Sequence, residues 1–182
     1  GLCYSLIVYA FYGYCAKLMF FYGVTPFSVN DICHLVDGKI SKVDTLDEYI
    51  LLTAENCKAL QGLELFKFSV PDLIADKIAL SATRELAWID LVNAGTWIGV
   101  VVILEVDVWF QLKGMLEGLL NRISKMIKII LYSTLLVCAA YWGFLGVFLD
   151  FWDAFLWLLA FAFIEMNLFQ WQQETQEYET VI

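Results

Sequence analysis

The sequence contains one histidine, His34, two prolines and two arginines, Arg84 and Arg122. A single histidine excludes a membrane haem held by paired imidazoles, and a chlorophyll bound by histidine in an apolar helix. Two separated arginines exclude an Arg-rich voltage-sensing span. Charged residues make up only 17% of the chain and the net charge is −9, so no basic face is available for nucleic acid or for an anionic lipid surface. There is no Gly-rich phosphate loop. No Ser/His/Asp set can be assembled inside the apolar segments. An enzyme is therefore not expected, and neither is a cofactor beyond bound lipid or pigment tails. A zinc site on His34, Cys33 and Cys57 lacks an evident fourth ligand.

What the chain has in excess is apolar surface. Of its 182 residues, 61% are hydrophobic and 16% aromatic, with seven tryptophans and a mean hydropathy of +0.71. Soluble domains carry about 45–50% apolar residues. The surplus is too large for one water-soluble core, so lipid is the expected solvent. Residues 127–171 hold two apolar runs close to the ~20 residues that cross hydrocarbon. Only the acidic corner at residues 149–153 separates them. Backbone in lipid must close its own hydrogen bonds, so both runs are predicted as helices of a transmembrane hairpin.

Taken in order, residues 1–23 form the first predicted span, read as retained rather than as a cleaved signal. Its one charge, Lys17, either snorkels to the interface or marks an ion path. Residues 24–70 form a cap outside the membrane. The stretch Ser28-Val-Asn-Asp31 can cap a short helix carrying Cys33. Residues 39–43 and 48–52 read as a hairpin, and the Thr53–Asn56 tetrad opens a short helix stopped by Gly62. Residues 71–110 read as one long helix that begins at Pro71-Asp72 and includes the second span. Gly95-x-x-x-Gly99 permits close helix approach there, although such spacing also arises by chance. Residues 111–126 form an amphipathic link, and residues 172–182 a polar acidic tail.

The expected fold is thus an all-α membrane protein of four transmembrane helices with a small extracytoplasmic α/β cap. The link carries Lys113, Arg122 and Lys125, with Lys128 just beyond it, whereas the corner of the last hairpin carries Asp150 and Asp153 and no cation. The positive-inside rule puts the link and both termini in the cytoplasm and the cap outside. The plan points to a bacterial inner membrane with a periplasmic cap. Cys33 and Cys57 then face an oxidising space and are expected to form a disulfide. Free thiols in a reduced loop are the other reading.

Three acids lie in the apolar helices. A structural ion pair is expected between Glu105 and Lys128, brought level by a turn near residues 114–118. A proton or cation route through Glu165 with Asn167 is the other use of such carboxylates. Asp150 and Asp153 serve a helix start, or else bind a cation. The resulting expectation is a non-enzymatic subunit of a larger inner-membrane complex, in contact with other membrane subunits and lipid. The alternative is a small oligomeric ion or proton conduit.

Overall fold

A computed structural model describes residues 2–69, 72–113 and 118–181, with backbone alone for residues 2, 3, 37, 165 and 167–181. The chain forms two compact units, residues 1–94 and 95–182, and the boundary falls inside one helix.

The first unit opens with α1 (Leu2–Tyr22). Five short strands follow: β1 (Val24–Phe27), β2 (Ser41–Val43), β3 (Tyr49–Leu51), β4 (Leu65–Phe68) and β5 (Leu73–Asp76). They form one sheet in the order β1-β4-β5-β2-β3, with β2 and β5 parallel and every other pair antiparallel. The expected hairpin is β2–β3. The cap is richer in strand than expected, because β1, β4 and β5 join that hairpin.

Alternation in the strands builds two cores. Val43, Phe68, Leu73 and Ala75 face Leu18 and Phe21 of α1, and Leu80 and Ala87 of the next helix. Leu65 and Ile74 point the other way, onto Ile32, Leu52, Cys57 and Leu60. That second layer is two short 3-10 helices, Ile32–Gly38 and Cys57–Leu60. Both start as the sequence suggests. The Asp31 carboxylate accepts from the Cys33 amide at 2.9 Å, and Thr53 and Asn56 cap each other through side chain and backbone.

The long helix α2 (Lys77–Leu112) starts later than expected. Leu73-Ile-Ala-Asp76 is a strand instead of a first helical turn. As a central strand it is covered on both faces, and an unbroken apolar run suits that position as well as it suits a helix. Asp76 then caps α2, its carboxylate accepting from the Ile78 and Ala79 amides at 2.9 Å each.

The second unit holds the rest of α2 together with α3 (Leu119–Leu145) and α4 (Phe148–Val181). Residues 114–117, where the α2–α3 reversal was expected, lie outside the described residues. The α3–α4 reversal is at Gly146-Val147, not at residues 149–153. Gly146 takes φ +77°, and the Val147 amide reaches back to the Trp142 carbonyl at 3.0 Å. That left-handed stop favours glycine. Asp150 and Asp153 consequently lie in the first turns of α4. The acidic tail continues α4 as helix to Val181, with neither glycine nor proline to break it.

Three helices are long and apolar enough to cross a membrane among the described residues: Tyr4–Tyr22, Lys77–Leu112 and Leu119–Leu145. The protein is thus mostly helical, with three candidate spans and a small five-stranded sheet. The fourth expected span falls on α4, whose side chains are described only in part.

Candidate functional site

Polar groups within apolar helices are where a site would be sought, because each needs a partner that lipid cannot supply. In the second unit, the Asp107 carboxylate of α2 meets the Lys128 ammonium of α3 at 2.8 Å. The Ser124 hydroxyl, one turn earlier on α3, donates to the same carboxylate oxygen at 2.6 Å. The Asp107 and Lys128 side chains are 13% and 22% exposed, and Ser124 is buried. One carboxylate therefore accepts two hydrogen bonds, one of them charge-assisted.

Periodicity explains why Asp107 occupies this position. Thr96, Val100, Ile103 and Asp107 follow the 4-3-4 spacing that keeps residues on one helix face. On α3, Ser124, Lys128, Leu131, Leu135, Cys138 and Trp142 repeat the same spacing. Val100, Leu135 and Cys138 are nearly inaccessible. Gly99 lets the two helices approach, since a Cβ there would stand 3.0 Å from Leu131 Cδ2. The expectation had assigned Lys128 to Glu105. Glu105 is about 200° round the helix from Asp107, on an exposed face, and has an interaction of its own. The ion pair seen for Lys128 is with Asp107.

Apolar contacts also join these helices. Gly143 admits the Phe151 ring where α3 turns into α4, at 3.1 Å from an added Cβ. Phe161 of α4 gathers Trp97 of α2, Tyr132 of α3 and Trp157 of its own helix, with ring centroids 5.2–6.5 Å apart. Cys138 is buried among these helices as a packing residue. The side chains of Glu165 and Asn167 lie outside the described residues, as does that of Cys3.

In the first unit, Cys33 and Cys57 form a disulfide that ties the two 3-10 helices together across 24 residues. With both thiols in that bond, the zinc set suggested by His34 cannot assemble. His34 is exposed and stands 3.5 Å from the Asp31 carboxylate. Among the described residues no group of three His, Cys, Asp or Glu could hold a metal ion. A groove of about 500 Å³ runs between the segment after β1 and the segment before β4, lined by Phe27, Val29, Ile32, Leu63 and Leu65 among others. Glu64 at this groove pairs with Lys77 at 2.9 Å.

Arg84 and Trp88 of α2 join α1, and Lys17 of α1 joins the cap; all of these contacts lay beyond sequence reasoning. Arg84 Nε donates to the Phe21 carbonyl in the last turn of α1 at 2.9 Å, while its guanidinium stacks 4.5 Å from the Tyr22 ring. A cation there completes the free carbonyl end of α1. The Trp88 indole adds a hydrogen bond to the Tyr22 hydroxyl at 3.1 Å. Lys17, expected to snorkel or line an ion path, has its ammonium on Asp47 of the cap at 2.7 Å. These are long-range pairings, and neither residue type nor spacing announces them. The 4-3-4 spacing in α3 was the one signal that could have pointed to Ser124 and Lys128 as a facing pair.

The geometry is that of fastening. A carboxylate pins α2 to α3, a guanidinium closes α1 onto α2, and a disulfide closes the cap. No family model matches the chain, and no curated protein or solved structure matches it either.

Proposed function

We propose that this protein is a non-enzymatic integral membrane subunit, an accessory component of a larger inner-membrane complex. The supporting observation is the surface of α1. Tyr9 and Tyr12, at the middle of the helix, are 75% and 69% exposed. A phenol hydroxyl in hydrocarbon lacks the partner that it has in water, at about 1–3 kcal/mol. Lipid tails cannot supply that partner, whereas a neighbouring helix with an acceptor can. Gly13, beside both tyrosines, has nothing within 4 Å of an added Cβ, which leaves room for close approach of a second helix.

In this reading α4 is a fourth span. Both termini are cytoplasmic, and the disulfide-bonded cap lies on the periplasmic side of a bacterial inner membrane. The cations of residues 113–128 against Asp150 and Asp153 support that orientation. Co-purification from the native membrane in mild detergent, followed by native-gel mass, tests the proposal. Stoichiometric partner chains are expected, and Tyr9→Phe with Tyr12→Phe should weaken their retention. A chain that migrates alone, or proton flux in vesicles that is lost on Glu165→Gln, would replace this reading with the conduit.

A further inference from the structure

We infer that the cap's edge strand β3 rests on the lipid bilayer, with Tyr49 and Leu51 in the headgroup region beside α1. The inference depends on α1 spanning the membrane, not on the subunit reading.

β3 is the last strand of the sheet, so among the described residues its outer backbone edge has no strand beside it. All three of its residues are apolar or aromatic and exposed. An edge of that kind is normally blunted by charge, proline or a covering segment. Which way its side chains point follows from the register. Tyr49 stands opposite Val43 and Leu51 opposite Ser41, so both share the Val43 face. Val43 packs with Leu18 and Phe21 of α1. Ile50 points to the opposite face, with Lys42. At the edge of the sheet the α1 cover has run out, and Tyr49 and Leu51 remain 48% and 52% exposed.

The height of the strand is fixed by the Lys17–Asp47 pair. Lys17 is five residues before the end of α1, about 7.5 Å back along the helix axis. Asp47 comes two residues before β3, so the hairpin descends alongside the last turns of α1 rather than standing clear of them. Tyr49 and Leu51 therefore stand level with the outer end of the span. Tyrosine is favoured at the membrane interface because its ring is apolar and its tip wet. The flanking Asp47 and Glu48 exclude attraction to anionic lipid, so the occupant is a neutral lipid surface held by apolar contact.

The test uses the full chain in phosphatidylcholine bilayers. A nitroxide is placed at Tyr49→Cys, Leu51→Cys or Ile50→Cys, with Cys3, Cys15 and Cys138 replaced by alanine and the disulfide kept. Labels at 49 and 51 should be several-fold more accessible to oxygen than to a water-soluble nickel complex, and the label at 50 the reverse. Equal nickel accessibility at all three positions overturns the inference. So does immobilisation of all three with access to neither quencher, which would mean that protein covers the strand. On the unsubstituted chain, a photoactivatable phosphatidylcholine should leave adducts on residues 49–51 as well as on α1. Adducts on α1 with none on that strand would reject the inference independently of any folding defect in the variants.

Discussion

Replacing Asp107 with asparagine keeps the shape of the side chain and its ability to accept from Ser124, but leaves the Lys128 ammonium without its anion. The pair is 2.8 Å apart and mostly enclosed. Breaking a fully buried pair costs about 3–5 kcal/mol, whereas polar contacts between membrane helices average about 0.6 kcal/mol in double-mutant cycles. With 13% and 22% of the two side chains still exposed, Asp107→Asn should cost about 2 kcal/mol. Lys128→Met should recover part of that loss when combined with Asp107→Asn, because the stranded charge is removed. A coupling energy of about 1 kcal/mol is expected from the cycle. The assay is reversible unfolding in mixed micelles, followed by tryptophan fluorescence. Strictly additive losses would refute the pairing. A cycle between Glu105→Gln and Lys128→Met with the larger coupling would move the pin to Glu105.

Loss of the disulfide by Cys33→Ser with Cys57→Ser should cost about 3 kcal/mol in the chain-entropy model, read as faster proteolysis of the cap. Gly99→Val puts a branched side chain against Leu131 and should destabilise the α2–α3 pair by about 1–3 kcal/mol, measured in the same micelle titration. Gly146→Ala forces a Cβ into the left-handed region and should cost about 1 kcal/mol, also by titration. Arg84→Lys keeps the charge but loses the planar fork over Tyr22. Amide exchange in the last turn of α1 should quicken in this variant, and more so in Arg84→Ala.

The short elements of the cap were legible because their signals are local. Asp31, the Thr53–Asn56 tetrad and Gly62 each act within a few residues. The β2–β3 hairpin was legible for the same reason. Strands β1, β4 and β5 were not, because their pairings are long-range. Val24 finds Phe68 across more than forty residues, and β5 is recognisable only once β4 and β2 flank it. Among the sites, the Cys33–Cys57 bond was legible from two cysteines that bracket a predicted hairpin. The charged pairings were not. Lys17 and Asp47 sit in elements whose approach depends on the whole sheet, and Arg84 meets a carbonyl, which no residue type advertises.

The misassigned partner of Lys128 shows why membrane helices are hard to read. In water, the apolar stripe of a helix reveals its buried face, because the opposite face is polar. In lipid both faces are apolar, and the pattern that orients a helix disappears. Orientation then has to be taken from the few residues that lipid does not suit. On α2, Thr96, Gly99 and Asp107 fall within one sector, while Glu105 is alone on another. On α3, Ser124 and Lys128 share a sector with the buried Leu135 and Cys138. Small and polar residues, read as a set at helical spacing, choose Asp107 over Glu105. Distance along the chain cannot separate the two, since both lie within one turn of the same height. The same rule picks out Tyr9, Tyr12 and Gly13 on α1, where both tyrosines are exposed. That exposed sector is what supports the proposal of a second chain beside α1.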